Sequence, residues 1–322
     1  MNDKLVSILI PVYNREKYIC ECIESATRQT YKNIEVIVYD NCSTDNTLKI
    51  CEDLAAKDPR IKVFRNETNV GPVRNWLCCL ERASGSYGKF LFSDDLIFPQ
   101  YLEKLLPFLD NDDVGFVYSA AVVGQDKYSK NIKYAGLKDI EFLSSDDYIF
   151  GSIFLPDFPV SPGCAIFRIE DLKENILTSV PSPRIKNFCD HGAGIDLLIF
   201  LLTAKKYKSI VRVSTPLVFF RQHEDSITIV KCRENNNTFF KYYNQAVLWF
   251  SKENMKKKLF VQVCVFLWRR EQKQAKQKYS IDTFISEYFS EIIEINSFDR
   301  IGCILIIKLR NLKNKIVKIF GK

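Results

Sequence analysis

Val6-Ser7-Ile8-Leu9-Ile10-Pro11-Val12-Tyr13-Asn14-Arg15 opens the chain, and Val36-Ile37-Val38-Tyr39-Asp40 follows a short distance on. Both runs are apolar and rich in β-branched residues, the pattern of strands buried on two faces of a parallel sheet. Between them Tyr18, Ile19, Cys22, Ile23 and Ala26 recur at helical spacing. The three segments read as a β-α-β unit, the opening of an α/β sheet. Each strand ends in polar residues, Asn14-Arg15 and Asp40-Asn41. Ligands of open α/β sheets bind at the carboxyl ends of the strands, so the chain opens by building a hydrogen-bonding pocket.

A dinucleotide fold would carry G-x-G-x-x-G after its first strand. Here the turn reads Pro11-Val12-Tyr13-Asn14-Arg15, without glycine. That argues against an ordinary Rossmann dehydrogenase, although Asp40 stands where a ribose-binding acid would. A pyrophosphate bound without that glycine turn needs another counter-charge, most simply a divalent metal.

The alternation continues through the first 123 residues. A helix follows Ser43 and Asp45 as cap candidates, with Leu48, Cys51, Leu54 and Ala55 on one face. Ile61–Phe64 is a third strand, and Gly71-Pro72 opens a helix carrying Trp76, Leu77 and Leu80. Gly88–Phe92 is a fourth strand that runs into Ser93-Asp94-Asp95; a helix follows Pro99, then a strand over Val114–Tyr118. From 124 to 165 the pattern loosens into loops, ending in a strand at Ala165-Ile166-Phe167. Asp196–Ala204 reads as an apolar helix, and Val211–Val213 and Leu217–Phe220 as two strands around Pro216. Beyond about 233 the signal is helical, over Phe239–Phe250, Lys257–Gln277, Thr283–Ile293 and Phe298–Phe320.

Composition divides the chain in the same place. Its 322 residues, 47% hydrophobic, suffice for one large domain and an appendage. The net charge is +7, yet residues 231–322 hold 19 Lys and Arg against 8 Asp and Glu, so the excess belongs to the C-terminal part. The 11 cysteines are scattered with no C-x-x-C pair, which argues for reduced, mostly buried thiols rather than a disulfide framework or zinc ribbon. The opening carries no signal-peptide pattern, and no apolar run approaches the ~20 residues of a spanning helix.

Two local patterns carry chemistry. Asp94-Asp95 places adjacent carboxylates at the end of a buried strand, where they repel unless solvated or bridged by a cation such as Mg2+ or Mn2+. Arg221-Gln222-His223 follows the last strand and supplies a cation beside an imidazole, a metal ligand or phosphate donor. The chain has two histidines, His191 and His223.

In ordered series these segments resemble the family 2 glycosyltransferases, nucleotide-sugar enzymes of the GT-A fold. The matching residues are Ser7–Asn14, Val38–Asp45, Asn69-Val70-Gly71-Pro72-Val73-Arg74-Asn75, Phe90–Asp95, Ile195-Asp196 and Arg221-Gln222-His223. They span about residues 5–228 and leave the tail outside. The resemblance implies an inverting transfer from a UDP- or dTDP-sugar to a glycan or lipid-linked acceptor, in bacterial surface polysaccharide assembly. It implies that Pro11, Tyr13, Asn14 and Arg15 line the nucleotide pocket. Asp40 would accept a hydrogen bond from the base, and Arg74 would lie near the base or phosphates. Asp94 and Asp95 would hold the ribose and a Mg2+ or Mn2+ ion, His223 and Arg221 would contact the metal or diphosphate, and Asp196 would be the general base. Two departures stand out. Related sequences read Asp-x-Asp-Asp where this chain begins with Phe92, and Glu-Asp where it has Ile195-Asp196, with Asp190 as an alternative base.

The expected organisation is therefore a GT-A α/β/α sandwich over residues 1–232, with a mostly parallel central sheet, and a helical, basic region over 233–322. Two rivals remain: an inactive nucleotide-sugar-binding or membrane-scaffold protein, which Phe92 keeps open, and a nucleic-acid binder, against which the tail shows no nucleic-acid module and aromatics at core spacing. Between 298 and 322 Ile301, Leu305, Leu309, Leu312, Ile316 and Ile319 form one stripe and Lys308, Asn311, Lys315, Lys318 and Lys322 another. A basic amphipathic helix of this kind is expected to lie on an anionic membrane, at the cytoplasmic face.

Overall fold

The computed structural model describes residues 4–224, 226, 238–275, 278–291, 293 and 295. The helix expected over Phe298–Phe320 lies outside them. The chain forms two compact units, residues 1–178 with 188–230, and residues 179–187 with 231–322.

The first unit is a mixed α/β structure around one sheet. Its strands are β1 (Val6–Val12), β2 (Ile34–Asp40), β3 (Ile61–Arg65), β4 (Tyr87–Phe90), β5 (Leu96–Ile97), β6 (Val114–Gly124), β7 (Ile132–Lys133), β8 (Ile140–Ser144), β9 (Ala165–Arg168) and β10 (Ser209–Arg221). The order along the sheet is β3-β2-β1-β4-β9-β6-β10-β5, with β7 paired to β6 and β8 to β10. β1 is parallel to both β2 and β4, β2 to β3, and β10 to β6. The short β9 is antiparallel to the two strands it separates, β4 and β6. Every residue of β1 is buried, as its unbroken apolar run requires.

The helices that the periodicity predicts in this unit are present. α1 (Ile19–Thr27) buries Ile19, Cys22, Ile23 and Ala26. α2 (Thr47–Ala55) and α3 (Pro72–Arg82) follow β2 and β3; α3 begins with its proline in the first turn, where no N–H is needed. α4 (Tyr101–Leu105) and a short 3-10 turn at Leu106–Asp110 lead to β6. α7 (Ile195–Lys206) is buried nearly all round.

Two readings of the sequence change. The strands expected on either side of Pro216 are one strand, β10, whose pairing with β6 shifts register at Pro216. Proline has no N–H for the ladder, and a bulge accommodates it without ending the strand. The stretch read as loops between 124 and 165 contains β7, β8, α5 (Ser145–Phe154) and a 3-10 turn at Pro162–Cys164, before β9 and then α6 (Ile169–Asn175). Ser144 caps α5, its hydroxyl accepting from Asp147 N at 3.1 Å.

The second unit contains α8 (Thr238–Asn254), α9 (Lys257–Ala275) and α10 (Ile281–Tyr288). The buried carboxylate of Glu271 accepts from Asn244 Nδ2 at 2.7 Å, Tyr288 Oη at 2.6 Å and Tyr279 Oη at 3.0 Å. Gln245 donates to the Pro181 carbonyl at 2.8 Å and accepts from Ser182 Oγ at 3.0 Å, which ties 179–187 into this unit. Nine cysteines are described, none of them in a disulfide, and six are buried. Among the described residues no helix is long and apolar enough to cross a membrane.

The amino ends of the central strands are locked by Glu35. It accepts from Ser7 Oγ at 2.6 Å, Ser84 N at 2.7 Å and Lys62 Nζ at 2.7 Å. Burial works against its charge, but these donors win and hold its carboxyl below the usual range. A group so lowered stabilises the fold above its unfolded pKa and loses that contribution as pH falls through the folded value. Glu35→Gln is therefore expected to lower unfolding free energy by about 1–3 kcal/mol at pH 7, with the deficit shrinking below about pH 4. Urea unfolding at both pH values measures it.

Candidate active site

Parallel register brings the loops after β1 and β2 side by side, with Val12 opposite Asp40. The backbone then laces them together. Asn14 N donates to Ser43 Oγ at 2.9 Å, Arg15 N to Thr47 Oγ1 at 2.7 Å, and Thr44 N to Asn14 Oδ1 at 2.9 Å. Asn14 and Cys42 both adopt positive φ, 49° and 65°, one in each loop. Non-glycine residues held this way mark a turn fixed by its surroundings. Tyr13 stands 40% exposed above the turn, and Pro11 is buried inside β1 opposite Tyr39.

Asp40 closes β2 and is buried at the base of the turn. It is 0% exposed, its carboxylate accepts from Ser43 N at 3.0 Å and pairs with Arg65 Nε at 3.4 Å. The carboxylate that the resemblance assigns to the nucleotide base thus also fixes the turn after β2.

The end of β4 carries the second group. Asp94 Oδ2 is 2.8 Å from His223 Nε2 and 3.9 Å from Arg15 Nε. Asp95 Oδ1 accepts from Arg221 N at 2.9 Å, and Arg221 Nε donates to the Asp94 carbonyl at 3.0 Å. The Arg221 guanidinium continues to Glu21 at 2.6 Å and lies 5.2 Å from the Tyr18 ring centre. Tyr18 also packs on the His223 ring, 4.6 Å between centres. Burial, and then the neighbouring Asp94 charge, push the Asp95 carboxyl well above its ordinary range; the Arg221 amide and Lys89 oppose that shift. His223 Nδ1 is buried and has no hydrogen-bond partner. Among the described residues no three His, Cys, Asp or Glu side chains gather into a metal-binding group. Asp94, Asp95 and His223 nonetheless stand together, with His223 Nε2 on Asp94, and bring the oxygen and nitrogen donor types that such ions take.

Asp196 occupies the first turn of α7. Its Oδ1 accepts from Gly194 N at 2.9 Å and Leu197 N at 2.7 Å. The preceding loop rests on α3: a Cβ on Gly192 would stand 2.4 Å from the Trp76 ring. Trp76 packs in turn on Phe92, 5.7 Å between centres. The base candidate thus reaches the carboxylate group through aromatic packing. Arg74, in the first turn of α3, is exposed, with Nη1 3.4 Å from the Val70 carbonyl. Asp190 is exposed in the loop before α7.

The structure thus gathers Arg15, Asp94, Asp95, Arg221 and His223 in one place, with Asn14 in the adjoining turn. The sequence reading missed Tyr18, Glu21 and Lys89. A charged residue inside the buried run Gly88-Lys89-Phe90-Leu91-Phe92 was the available signal for Lys89.

A sheet of this topology with such a site defines a GT-A domain, and the solved structures agree. The structure of S. aureus TarS 1–349 in complex with UDP-GlcNAc superposes with a TM-score of 0.65 at 22% identity, covering 85% of this chain and 76% of that one. The chain belongs to glycosyl transferase family 2, whose sequence profile matches residues 7–176. Glycosyltransferase GlyG of Streptococcus pneumoniae is 34% identical over 240 residues, 70% of this chain and 73% of that protein. An uncharacterized glycosyltransferase of Haemophilus influenzae is 45% identical over 109 residues, 34% of this chain. That match takes in 44% of the relative's length, and a second H. influenzae relative, 38% identical over 112 residues, is matched over 35% of its own.

Because Asp40 supports the turn, Asp40→Asn keeps its shape but removes the charge facing Arg65. The expected loss is about 1–3 kcal/mol of stability, read as an earlier urea midpoint at unchanged slope.

Proposed function

We propose that this chain is an inverting glycosyltransferase that moves a sugar from a UDP- or dTDP-sugar to a hydroxyl of a glycan or lipid-linked acceptor. The observation that carries the reading is the meeting of Arg15, Asp94, Asp95, Arg221 and His223 at the carboxyl ends of β1, β4 and β10. TarS, solved with UDP-GlcNAc, supports a sugar nucleotide as donor.

In this reading Pro11, Tyr13, Asn14 and Arg15 form the nucleotide wall, with Arg74 on the side of the base or phosphates. Asp94, Asp95 and His223 would hold Mg2+ or Mn2+, which when bound supplies positive charge against the departing diphosphate. Arg15 and Arg221 add fixed positive charge beside it, Arg221 oriented by Glu21. Asp196 takes the proton of the acceptor hydroxyl. Two backbone N–H groups fix Oδ1 and so orient the carboxylate. The acceptor oxygen bonds to the anomeric carbon as the bond to the diphosphate oxygen breaks, and its electron pair leaves with the diphosphate. A single displacement inverts the centre and needs no covalent nucleophile.

Residues 1–232 constitute the catalytic domain in this assignment, and 233–322 a helical, basic region suited to the cytoplasmic face of a membrane. Bacterial surface polysaccharide assembly is the setting we infer. A second reading, a sugar-nucleotide binder without turnover, is favoured by Phe92. That ring replaces the first carboxylate of the metal motif and packs against Trp76 and Phe90.

Released nucleotide, measured over a panel of sugar nucleotides with and without Mn2+, separates the two. Turnover that depends on Mn2+ and vanishes in Asp95→Ala is expected; UDP binding with no turnover of any donor selects the second reading. Asp196→Asn should bind donor normally and lose transfer by about 10²–10⁴-fold. A carboxylate that only complements the helix dipole would instead cost at most ~1 kcal/mol of stability and leave kcat intact.

A further inference from the structure

Lys89 carries its ammonium group into the protein interior. It is 0% exposed in the middle of β4, and among the described residues it makes no ion pair. Its Nζ donates to the Phe90 carbonyl at 2.8 Å and to the Gly163 carbonyl, and lies 4.8 Å from the Tyr101 ring centre. Burying a charge on two carbonyls and a ring face costs stability, and an apolar side chain of similar length would avoid the cost. Burial lowers the ammonium pKa to about 7.

The geometry around Gly163 shows what the charge holds. A Cβ built there would stand 3.0 Å from the Phe220 ring and 3.2 Å from the Phe92 ring. Gly163 is therefore wedged between two aromatic side chains. Phe92 leads directly into Asp94 and Asp95, and Phe220 into Arg221 and His223. Those segments also bond to each other, through Arg221 N to Asp95 and His223 to Asp94. Lys89 grips Gly163 from below by its carbonyl.

We infer that Lys89 is a positioning residue: by holding the Gly163 carbonyl against β4 it sets the spacing between the Asp94-Asp95 loop and the Arg221–His223 strand end, and so the donor-diphosphate site. This rests on the donor reading given above. Lys89 touches no substrate; it acts through Gly163, Phe92 and Phe220.

The test compares the full-length chain with Lys89→Met and Gly163→Ala, the second wedging the same turn apart without removing the charge. Affinity for nucleoside diphosphates (UDP, dTDP, GDP) with Mn2+ is titrated calorimetrically well below each thermal midpoint. We expect both variants to bind the wild type's preferred diphosphate at least tenfold more weakly while far-UV circular dichroism stays native. Wild-type affinity in folded Lys89→Met, with only the thermal midpoint displaced, overturns the inference and leaves the donor reading standing. If Lys89→Met does not fold, Gly163→Ala decides: unchanged affinity overturns the inference, weakened affinity supports it. A wild type that binds no diphosphate overturns both readings.

Discussion

Two carboxylates on consecutive residues, one of them buried, set the terms for the rest of this molecule. Asp94 and Asp95 repel each other, and burial penalises the charge on Asp95 further. The fold answers by running β10 far enough to deliver the Arg221 amide to Asp95 and the His223 ring to Asp94. That accounts for the length of β10 and for its continuity through Pro216: a strand broken there would leave the carboxylates without partners. It also accounts for α1, which offers Glu21 to the Arg221 guanidinium and ends the preceding loop with Tyr18 under both side chains.

The turn after β1 shows a division of labour between residues that project from it and residues that hold them there. Tyr13 and Arg15 project from a turn whose shape is dictated by Ser43, Thr44, Thr47 and the buried Asp40. The positive φ values at Asn14 and Cys42 are sustained by this lacing. At the opposite ends of the same strands Glu35 performs the corresponding task for Ser7, Lys62 and Ser84. The central strands are thus pinned at both ends by carboxylates, and the aromatic packing of Trp76 on Phe90 and Phe92 fills the space toward α7.

What was legible in the sequence follows from how local each signal is. The first strands and helices were readable because buried parallel strands are uniformly apolar and their helices strongly periodic. Adjacent polar motifs at strand ends located Arg15, Asp94, Asp95, Arg221 and His223 together. β8 was not readable: its residues alternate between half-buried and exposed, so Ile140 and Phe142 face outward and the pattern carries no core signature. Pro216 read as a break because a bulge is a property of pairing, not of composition. The depth of Asp40 was not readable because sequence gives position along a strand but not burial; only the fold reveals Arg65 and Ser43 around its carboxylate.

The thiols give the molecule an unplanned chemical property. Cys22, Cys51, Cys79 and Cys164 are buried, and burial raises each thiol's pKa, the last to about 12. Thiolate is the form that alkylating reagents and peroxides attack, so these four are inert toward both while the fold is intact. Cys20 on α1 differs in exposure, although burial and its neighbour Glu24 raise its pKa as well, and it lies one residue from Glu21, the partner of Arg221. In a variant whose other accessible cysteines, Cys42 and Cys78 among them, are replaced, a maleimide dye carried there would report on the helix that orients the arginine.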